Sequence, residues 1–199
     1  MKNRTYLASL AMVLALASNV QAASEVRGYA QLDLLDVVSQ SGKIKYTEDG
    51  ETESWTQKYK SNAIGFDVRG GAVIGDVRAE LQISYTGGQM KDDDGEAGNK
   101  VSDLSYYING YYDIKLDAPV TPYVKAGIGY KNFTIKGDEK DMKLNSLSYQ
   151  AGLGVSYNID KNVAVDLGYT YNQALEAKDG DVKSSQNENI VNLGARYTF

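Results

Sequence analysis

Two residue types that carry much of protein chemistry are missing from this sequence. Its 199 residues include no cysteine and no histidine. A disulfide framework, a thiolate zinc site and a cysteine nucleophile are therefore excluded. The usual general base is absent as well, which excludes Ser-His-Asp hydrolysis and imidazole metal ligands. We expect no catalytic residue, no cofactor and no metal site, and the net charge of -5 argues against nucleic acid as a partner.

Three short motifs keep some chemical interest, and each has a structural alternative. Arg78 and Glu80 lie two residues apart on one face of a strand and could form a polar dyad in a channel or an active site. We favour the alternative, a structural ion-pair ladder. The acidic run at 92–96 could bind calcium, but it lacks the ligand spacing of a calcium loop. We therefore favour its interpretation as the solvated tip of a loop. The Gly-x-Gly pairs at 127–129 and 152–154 lack the helix that follows a nucleotide loop. We expect them to leave space for Arg and Glu side chains from the facing wall.

The N-terminal segment is predicted to be a signal peptide, residues 1–22. Two basic residues precede an uncharged stretch at 5–17, and small residues follow at Val20 and Ala22, near the spacing that signal peptidase recognises. The stretch is shorter than the roughly 20 residues of a membrane-spanning helix. The alternative is a buried N-terminal helix. Residues 23–199 are predicted to form one exported domain.

Apolar and polar residues alternate with a period of two through the rest of the chain, which is the pattern of a β-strand. Eight strands are predicted at 26–34, 63–70, 77–85, 104–113, 122–130, 147–157, 163–171 and 189–199. Short connections (71–76, 114–121, 158–162) alternate with long polar ones (35–62, 86–103, 131–146, 172–188). This order predicts an all-β, eight-stranded, antiparallel up-and-down barrel with tight turns at one end and four long loops at the other.

The charges decide between a soluble barrel and a membrane barrel. Alternate residues of a strand point to opposite faces of the sheet. The residues on one face carry no charge, and those on the other face include five basic and five acidic residues. They are Arg27, Asp33, Asp67, Arg69, Arg78, Glu80, Asp113, Lys125, Asp166 and Arg196. Charges that face water need not balance, whereas charges inside a narrow lumen must pair, because an unpaired buried charge is costly. The balance, with tyrosines at the ends of the outward runs, favours a transmembrane barrel with an ion-pair network over a lipocalin-like cup.

Five short stretches carry a family resemblance. They read NGYYD at 109–113, TPYVKAGIGY at 121–130, YQAGLGV at 149–155, VDLGY at 165–169 and LGARYTF at 193–199. Together they resemble the small eight-stranded barrels of the opacity-type, OmpA-like porin family. The resemblance implies a multi-pass protein of the Gram-negative outer membrane, with short periplasmic turns, four long extracellular loops, and outer-membrane lipid and lipopolysaccharide around it. It also implies that Tyr197 and Phe199 belong to the insertion signal that the barrel-assembly machinery recognises.

Three functions compete for such a barrel. We favour a structural and surface-interaction role of adhesin or surface-antigen type, with a host or envelope ligand at the loops. Tyr46, Trp55 and Tyr59 are candidate contacts, although aromatic residues also stabilise long loops by packing on each other. A low-conductance channel is the second function, and charged pairs would plug its narrow lumen. The third is a lipid-modifying enzyme, which without histidine would depend on residues such as Asp33 or Ser84.

Overall fold

Antiparallel strands make up nearly all of the protein. The computed structural model describes residues 26–48, 51–59, 63–91, 97–136, 142–179 and 182–199. The strands are β1 (Val26–Glu48), β2 (Glu51–Tyr59), β3 (Ala63–Ile74), β4 (Val77–Lys91), β5 (Ala97–Asp113), β6 (Val120–Ile135), β7 (Met142–Asn158), β8 (Val163–Asp179) and β9 (Val182–Thr198). Among these residues, no helix has the length and apolar character needed to cross a bilayer. The predicted signal peptide and the acidic run at 92–96 lie outside the described residues.

The sheet closes on itself into a barrel with eight wall positions. From β3 to β9 each strand pairs with the next, and β1 pairs with both β3 and β9. Residues 26–37 of β1 pair with β3 and residues 40–48 pair with β2, so β2 continues the line of β3. A closed sheet has no free edge inside the bilayer, where water cannot satisfy backbone groups. The predicted eight-stranded antiparallel barrel is confirmed.

Short connections join the strands at one end, which we call the turn end. β3 and β4 are joined at Gly75 and Asp76, and Gly75 has a φ of 62°, which glycine adopts readily. In the turn between β7 and β8, Asp160 accepts hydrogen bonds from the backbone N–H groups of Asn162 (2.7 Å) and Val163 (2.8 Å). These bonds lower the pKa of the Asp160 carboxyl below its usual value. The predicted short connections are confirmed.

At the other end, the segments that were predicted as four long loops are mostly strand. Most of the residues assigned to those loops lie in strands: β1 runs to Glu48, β4 to Lys91 and β6 to Ile135, and β9 begins at Val182. The prediction ended each strand where outward residues change from apolar to polar. Backbone pairing continues past that level, because strands in water need no apolar face to keep their ladder hydrogen bonds. These extensions begin at about residue 39 of β1 and at the same height on the other strands. We call them the polar wall.

The outer face below the polar wall is an apolar belt. Leu34, Ile128 and Leu153 are 68%, 71% and 61% exposed, although they are large and apolar. On β7 the belt runs over residues 147–157, ten steps that rise about 26 Å if the strand is tilted by about 40°. An outer-membrane barrel has an apolar band about 25 Å tall. The predicted outward orientation of the apolar parity is therefore confirmed.

We predict that a charge in the middle of the belt destabilises the barrel and that the same charge on the polar wall does not. Leu153→Arg should lower the free energy of unfolding by about 2–4 kcal/mol, because arginine must enter hydrocarbon. Asn145→Arg, on the same strand and exposed above the belt, should change it by at most about 1 kcal/mol. Urea unfolding in lipid vesicles measures both values. Equal small effects of the two substitutions would contradict a lipid-facing belt.

Candidate functional site

The guanidinium of Arg69 is buried in the barrel interior and binds two carboxylates. Its Nε and Nη2 atoms donate to the two carboxylate oxygens of Asp67, both at 2.8 Å. Its Nε also lies 3.1 Å from Oδ2 of Asp33. The strand ladder explains this arrangement, because Asp33 is the register partner of Asp67 and Arg69 follows Asp67 by two residues on the same face. One buried cation thus holds two buried carboxylates that face each other across the strands.

Glu80 lies next to this group and is stabilised mainly by hydrogen-bond donors. The hydroxyls of Tyr29 and Tyr111 donate to its carboxylate at 2.8 and 2.7 Å, and the amide of Asn109 donates at 2.9 Å. The Nε atom of Arg69 is 4.0 Å away. Three donors converge on one buried carboxylate, which compensates for the water that it loses on burial.

The predicted ladder of Arg78 with Glu80 is wrong, because Arg78 pairs with Asp113. Its Nη2 and Nε atoms lie 2.8 and 3.1 Å from Oδ1 of that carboxylate. Its guanidinium carbon also lies 4.2 Å from the ring centroid of Tyr111 and 5.0 Å from that of Tyr123. Asp113 is not the direct register partner of Arg78, which is Tyr111, but its diagonal neighbour on the adjacent strand β5. A diagonal neighbour is within reach of a long arginine side chain.

Arg196 and Asp166 form a third ion pair near the turn end. The Nε atom of Arg196 is 3.5 Å from Oδ2 of Asp166, and its Nη2 atom donates to the hydroxyl of Ser156 at 3.2 Å. Ser156 also donates to Asp166, its direct register partner on the adjacent strand. The serine therefore links the cation to the anion, and the pair closes the interior toward the turn end.

The structure buries nine of the ten charged residues that were predicted to face the lumen. Arg27 is the exception: it follows the inward parity but lies at the turn end and is exposed. It was misplaced because parity fixes the direction of a side chain and not its depth in the barrel. Lys125 is buried, yet among the described residues no carboxylate lies within ion-pairing distance of its ammonium group.

Sequence reasoning missed a second cluster, at the level where the polar wall begins. Its centre is Lys131, whose Nζ atom lies 3.3 Å from Oδ2 of Asp103 and donates to Glu188. Glu188 also accepts hydrogen bonds from the amides of Gln40 and Gln186, each at 3.0 Å. Asp103, Lys131 and Glu188 had been assigned to loops. Their signal was present in the sequence, because each continues the inward parity of its strand by a few more residues.

The buried charges are not the neutral set that the sequence predicted. Among the described residues, seven acidic and five basic side chains are buried. The acidic ones are Asp33, Asp67, Glu80, Asp103, Asp113, Asp166 and Glu188, and the basic ones are Arg69, Arg78, Lys125, Lys131 and Arg196. Arg69 and Lys131 each lie between two carboxylates. The surplus of carboxylates is stabilised by tyrosine, serine, asparagine and glutamine donors, which the count of formal charges had ignored.

Little open volume remains between the two clusters. The cavity there measures about 20 Å³, which is space for about one water molecule. Glycines make the close packing possible: a Cβ atom at Gly129 would lie 2.3 Å from the ring of Tyr107, and one at Gly154 would lie 2.4 Å from that of Tyr123. The prediction that these glycines leave space is confirmed. At Gly129 and Gly154 the side chains that use the space are tyrosines of adjacent strands, and at Gly127 and Gly152 they are Asn109 and Lys125. The predicted Arg and Glu side chains from the facing wall do not occupy it.

The other predicted site residues lie on the barrel wall. Tyr197 and Phe199 are 51% and 37% exposed, and their rings meet edge to face with centroids 5.4 Å apart. Tyr46, Trp55 and Tyr59 lie in strands β1 and β2 and not in a loop, and their side chains lie outside the described residues. The insertion signal and the aromatic contacts therefore stay predictions.

Comparison with known proteins agrees with this geometry. The family model described as outer membrane protein beta-barrel domain matches residues 8–199. Outer membrane protein PagN of Salmonella typhimurium is 26% identical over an alignment of 125 positions, which covers 51% of this chain and 52% of PagN. Major surface antigen 4 of Anaplasma marginale is 27% identical over an alignment that covers 88% of this chain and 74% of that protein. This chain thus aligns with only about half of PagN.

Solved structures share the fold at low sequence identity. Neisserial surface protein A has a TM-score of 0.55 at 20% identity, over 86% of this chain and 97% of its own. The outer membrane protein OprG of Pseudomonas aeruginosa has a TM-score of 0.55 at 15% identity, over 87% and 95%. These likenesses concern the barrel architecture alone.

We predict that the interior network depends on Arg69. Arg69→Met should lower the free energy of unfolding by about 3–5 kcal/mol, because it leaves two facing carboxylates buried without their cation. Arg27→Met removes an exposed arginine and should change it by no more than about 0.5 kcal/mol. Urea unfolding of both variants in lipid vesicles provides the comparison. If Arg27→Met were as destabilising as Arg69→Met, the assignment of the network would be wrong.

Proposed function

The chain belongs to the outer membrane protein beta-barrel family and lies in the Gram-negative outer membrane, and we propose that it is a surface-interaction protein of adhesin or surface-antigen type. The observation that carries this proposal is the polar wall, which continues the barrel beyond the apolar belt. We place this wall outside the cell and the short turns in the periplasm.

The size of the polar wall supports a role in presentation. β1 is 23 residues long, and its ten residues from 39 to 48 rise roughly 25 Å above the belt at a tilt of about 40°. This height is similar to that of the belt itself. A barrel that only sealed the bilayer would need strands of about 9–11 residues. The additional strand length therefore serves to hold a polar surface away from the membrane, where other molecules can reach it.

The relatives support the same role within limits. Major surface antigen 4 aligns with most of this chain, and its name places that protein at a cell surface. The alignment with PagN covers only about half of each chain, so it does not support the assignment of a PagN activity to this chain. We propose that the polar wall binds a host or envelope ligand. Tyr46, Trp55 and Tyr59 lie in the part of β1 and β2 that belongs to the wall.

We also propose that the lumen is closed. Two buried charge clusters lie at different heights in the barrel, and the space between them is about one water in size. Eight strands give an interior just wide enough for side chains to fill. Ion movement would require breaking the Arg69 or Lys131 group, which costs several kcal/mol per buried pair. The barrel therefore acts as a rigid base for the wall and not as a channel.

We infer no enzymatic activity. Asp33 is fully buried and accepts hydrogen bonds from Gln31 and Asn192, and Ser84 is buried as an acceptor for Gln82. Neither group can reach a lipid substrate without opening the wall. These were the residues that a mechanism without histidine would have used. Their contacts support a structural role for both.

Contacts with the membrane and the assembly machinery complete the proposal. Outer-membrane lipid would cover the apolar belt, and lipopolysaccharide would surround the lower part of the polar wall. The exposed aromatic pair of Tyr197 and Phe199 ends the last strand on the lipid face. We propose that the barrel-assembly machinery recognises this pair during insertion.

We predict that the polar wall is needed for adhesion. Residues 44–55 are replaced by Asn-Gly, which closes the hairpin at the register partners Lys43 and Thr56 with a type I′ turn. Cells that display the shortened barrel should bind cultured epithelial monolayers or matrix-coated surfaces at least about tenfold less than cells with the full chain.

The shortened barrel must still fold, which heat-modifiable migration on a denaturing gel would show. Arg27→Met changes the turn end only and should leave adhesion at the level of the unmodified protein. If cells with the full chain do not adhere, or if the shortened barrel adheres equally well, the adhesin role is lost.

We predict that the pure protein shows no steady conductance in planar lipid bilayers, because the two clusters fill the lumen. Single-channel recording in about 1 M KCl measures this directly, since a salt of that concentration gives a large current through any open aqueous pore. A porin of known conductance in the same bilayer is the positive control. Reproducible single-channel steps from folded protein would contradict a closed lumen and favour the low-conductance channel.

A further inference from the structure

We propose that the mouth of the barrel at the turn end binds a small organic anion that carries two or more carboxylate or phosphate groups. A cavity of about 370 Å³ lies there, and we call it the mouth pocket. Its volume is within the range of about 300–1,000 Å³ that is typical of pockets for small molecules. The inference goes beyond the proposed surface role, because the pocket lies at the end of the barrel opposite the polar wall.

The mouth pocket exists because small side chains lie next to two arginines across the ladder. Arg27 is the register partner of Val73, and Arg196 is the register partner of Ala164. All four residues line the pocket. They follow the inward parity of their strands, so the pocket lies inside the mouth of the barrel and not on its lipid face.

The acidic side chains in and near the pocket already have partners. Asp113 lines it and is bound by Arg78. Asp160 lines it as well and accepts the two backbone N–H bonds of the β7–β8 turn. Lys115, another residue of the lining, forms an ion pair with Asp76 at 2.5 Å. These carboxylates are therefore bound to groups other than the remaining cations of the pocket.

Three cations of the lining have donors to spare. Among the described residues, neither Arg27 nor Lys161 has a carboxylate within ion-pairing distance. Arg196 is more than nine-tenths buried, and its Nε atom, 3.5 Å from Oδ2 of Asp166, makes no hydrogen bond. A buried donor without an acceptor is costly. An acceptor that entered the pocket would remove this cost.

The chemistry of these cations defines the ligand. Guanidinium and ammonium groups only donate hydrogen bonds, whereas ionised carboxylates and phosphates accept them, and such pairs are among the strong ones. Arg196 is buried, while Arg27 and Lys161 are more exposed. The pocket is also more than ten times the roughly 30 Å³ of one water molecule. An anion with two or more oxyanion groups therefore fits better than a single small ion, since it can contact the deep and the outer cations together.

A lipid headgroup is the other source of oxyanions at this end of the barrel. Its acyl chains must stay on the outer face, whereas Arg27 and Arg196 face inward. A headgroup would have to reach around the end of the wall to meet them. A free solute enters along the barrel axis without this constraint, so we assign the pocket to a solute.

The test is a citrate titration of the whole ¹⁵N-labelled protein in nanodiscs of phosphatidylcholine, followed by NMR. At about 150 mM KCl, charges more than about 8 Å apart are largely screened, which suppresses unspecific attraction. Citrate should shift the Nε–H signals of Arg27 and Arg196 in a saturable way, with a Kd below about 1 mM. Acetate, which carries one carboxylate, should bind at least about tenfold more weakly.

Three variants locate the site. Arg27→Gln and Lys161→Gln each remove a cation of the pocket, and each should weaken citrate binding at least about threefold. Both residues lie at the turn end outside the buried network, so the barrel should still fold, which heat-modifiable migration checks. Lys100→Gln removes the same charge from an exposed position on the polar wall. This control should leave the affinity for citrate unchanged.

The inference is wrong if the citrate shifts do not saturate, if acetate binds equally well, or if Lys100→Gln weakens binding as much as Arg27→Gln. Nanodiscs that contain phosphatidylglycerol test the lipid source. If this lipid shifts the Nε–H signal of Arg196 and prevents citrate from binding, the ligand is a headgroup and the assignment to a solute is wrong. If citrate binds equally in both nanodiscs, the assignment is supported.

Discussion

The structure depends on the closure of the sheet, which is made by the pairing of β1 with β9. Hydrocarbon offers no partner for an unpaired backbone group, so a sheet can cross the membrane only if no edge remains at that depth. Closure then divides every strand into two faces. The outer one must be apolar because it meets lipid, and the inner one can be polar because only other side chains reach it. The charged interior and the apolar exterior both follow from this one requirement.

The interior shows how a narrow barrel accommodates buried charge. Formal charges do not cancel, since seven carboxylates face five cations among the described residues. Two cations, Arg69 and Lys131, are each shared by two carboxylates. Hydroxyl and amide donors bind several of the other carboxylate oxygens, as the three donors around Glu80 illustrate. In a small volume without bulk water, hydrogen bonds to a carboxylate stabilise its negative charge and thus partly replace counter-ions.

Beyond the belt the constraint of closure disappears, because water can satisfy backbone groups. The strands there remain paired, but the wall no longer needs to be complete. β2 keeps its ladder with β1, while β4 continues with β5 only. The same change of solvent that permits polar outer faces also permits an open edge. The polar wall is thus the part of the molecule that the membrane does not force to close.

The sequence by itself determined the barrel, the outward face of each strand and the inward direction of nine of the ten charges, because strand parity is a local property with a period of two. It did not reveal the extent of the strands: Lys131 and Glu188 continue the inward parity, but the loss of outward apolar residues hid that continuation. Only the tertiary structure decided which charges meet. Arg78 bonds to Asp113 and Arg69 to Asp33 across adjacent strands, whereas the bond of Arg69 to Asp67 lies within β3. Register and depth depend on how all strands stagger when the sheet closes, and no local pattern contains that information.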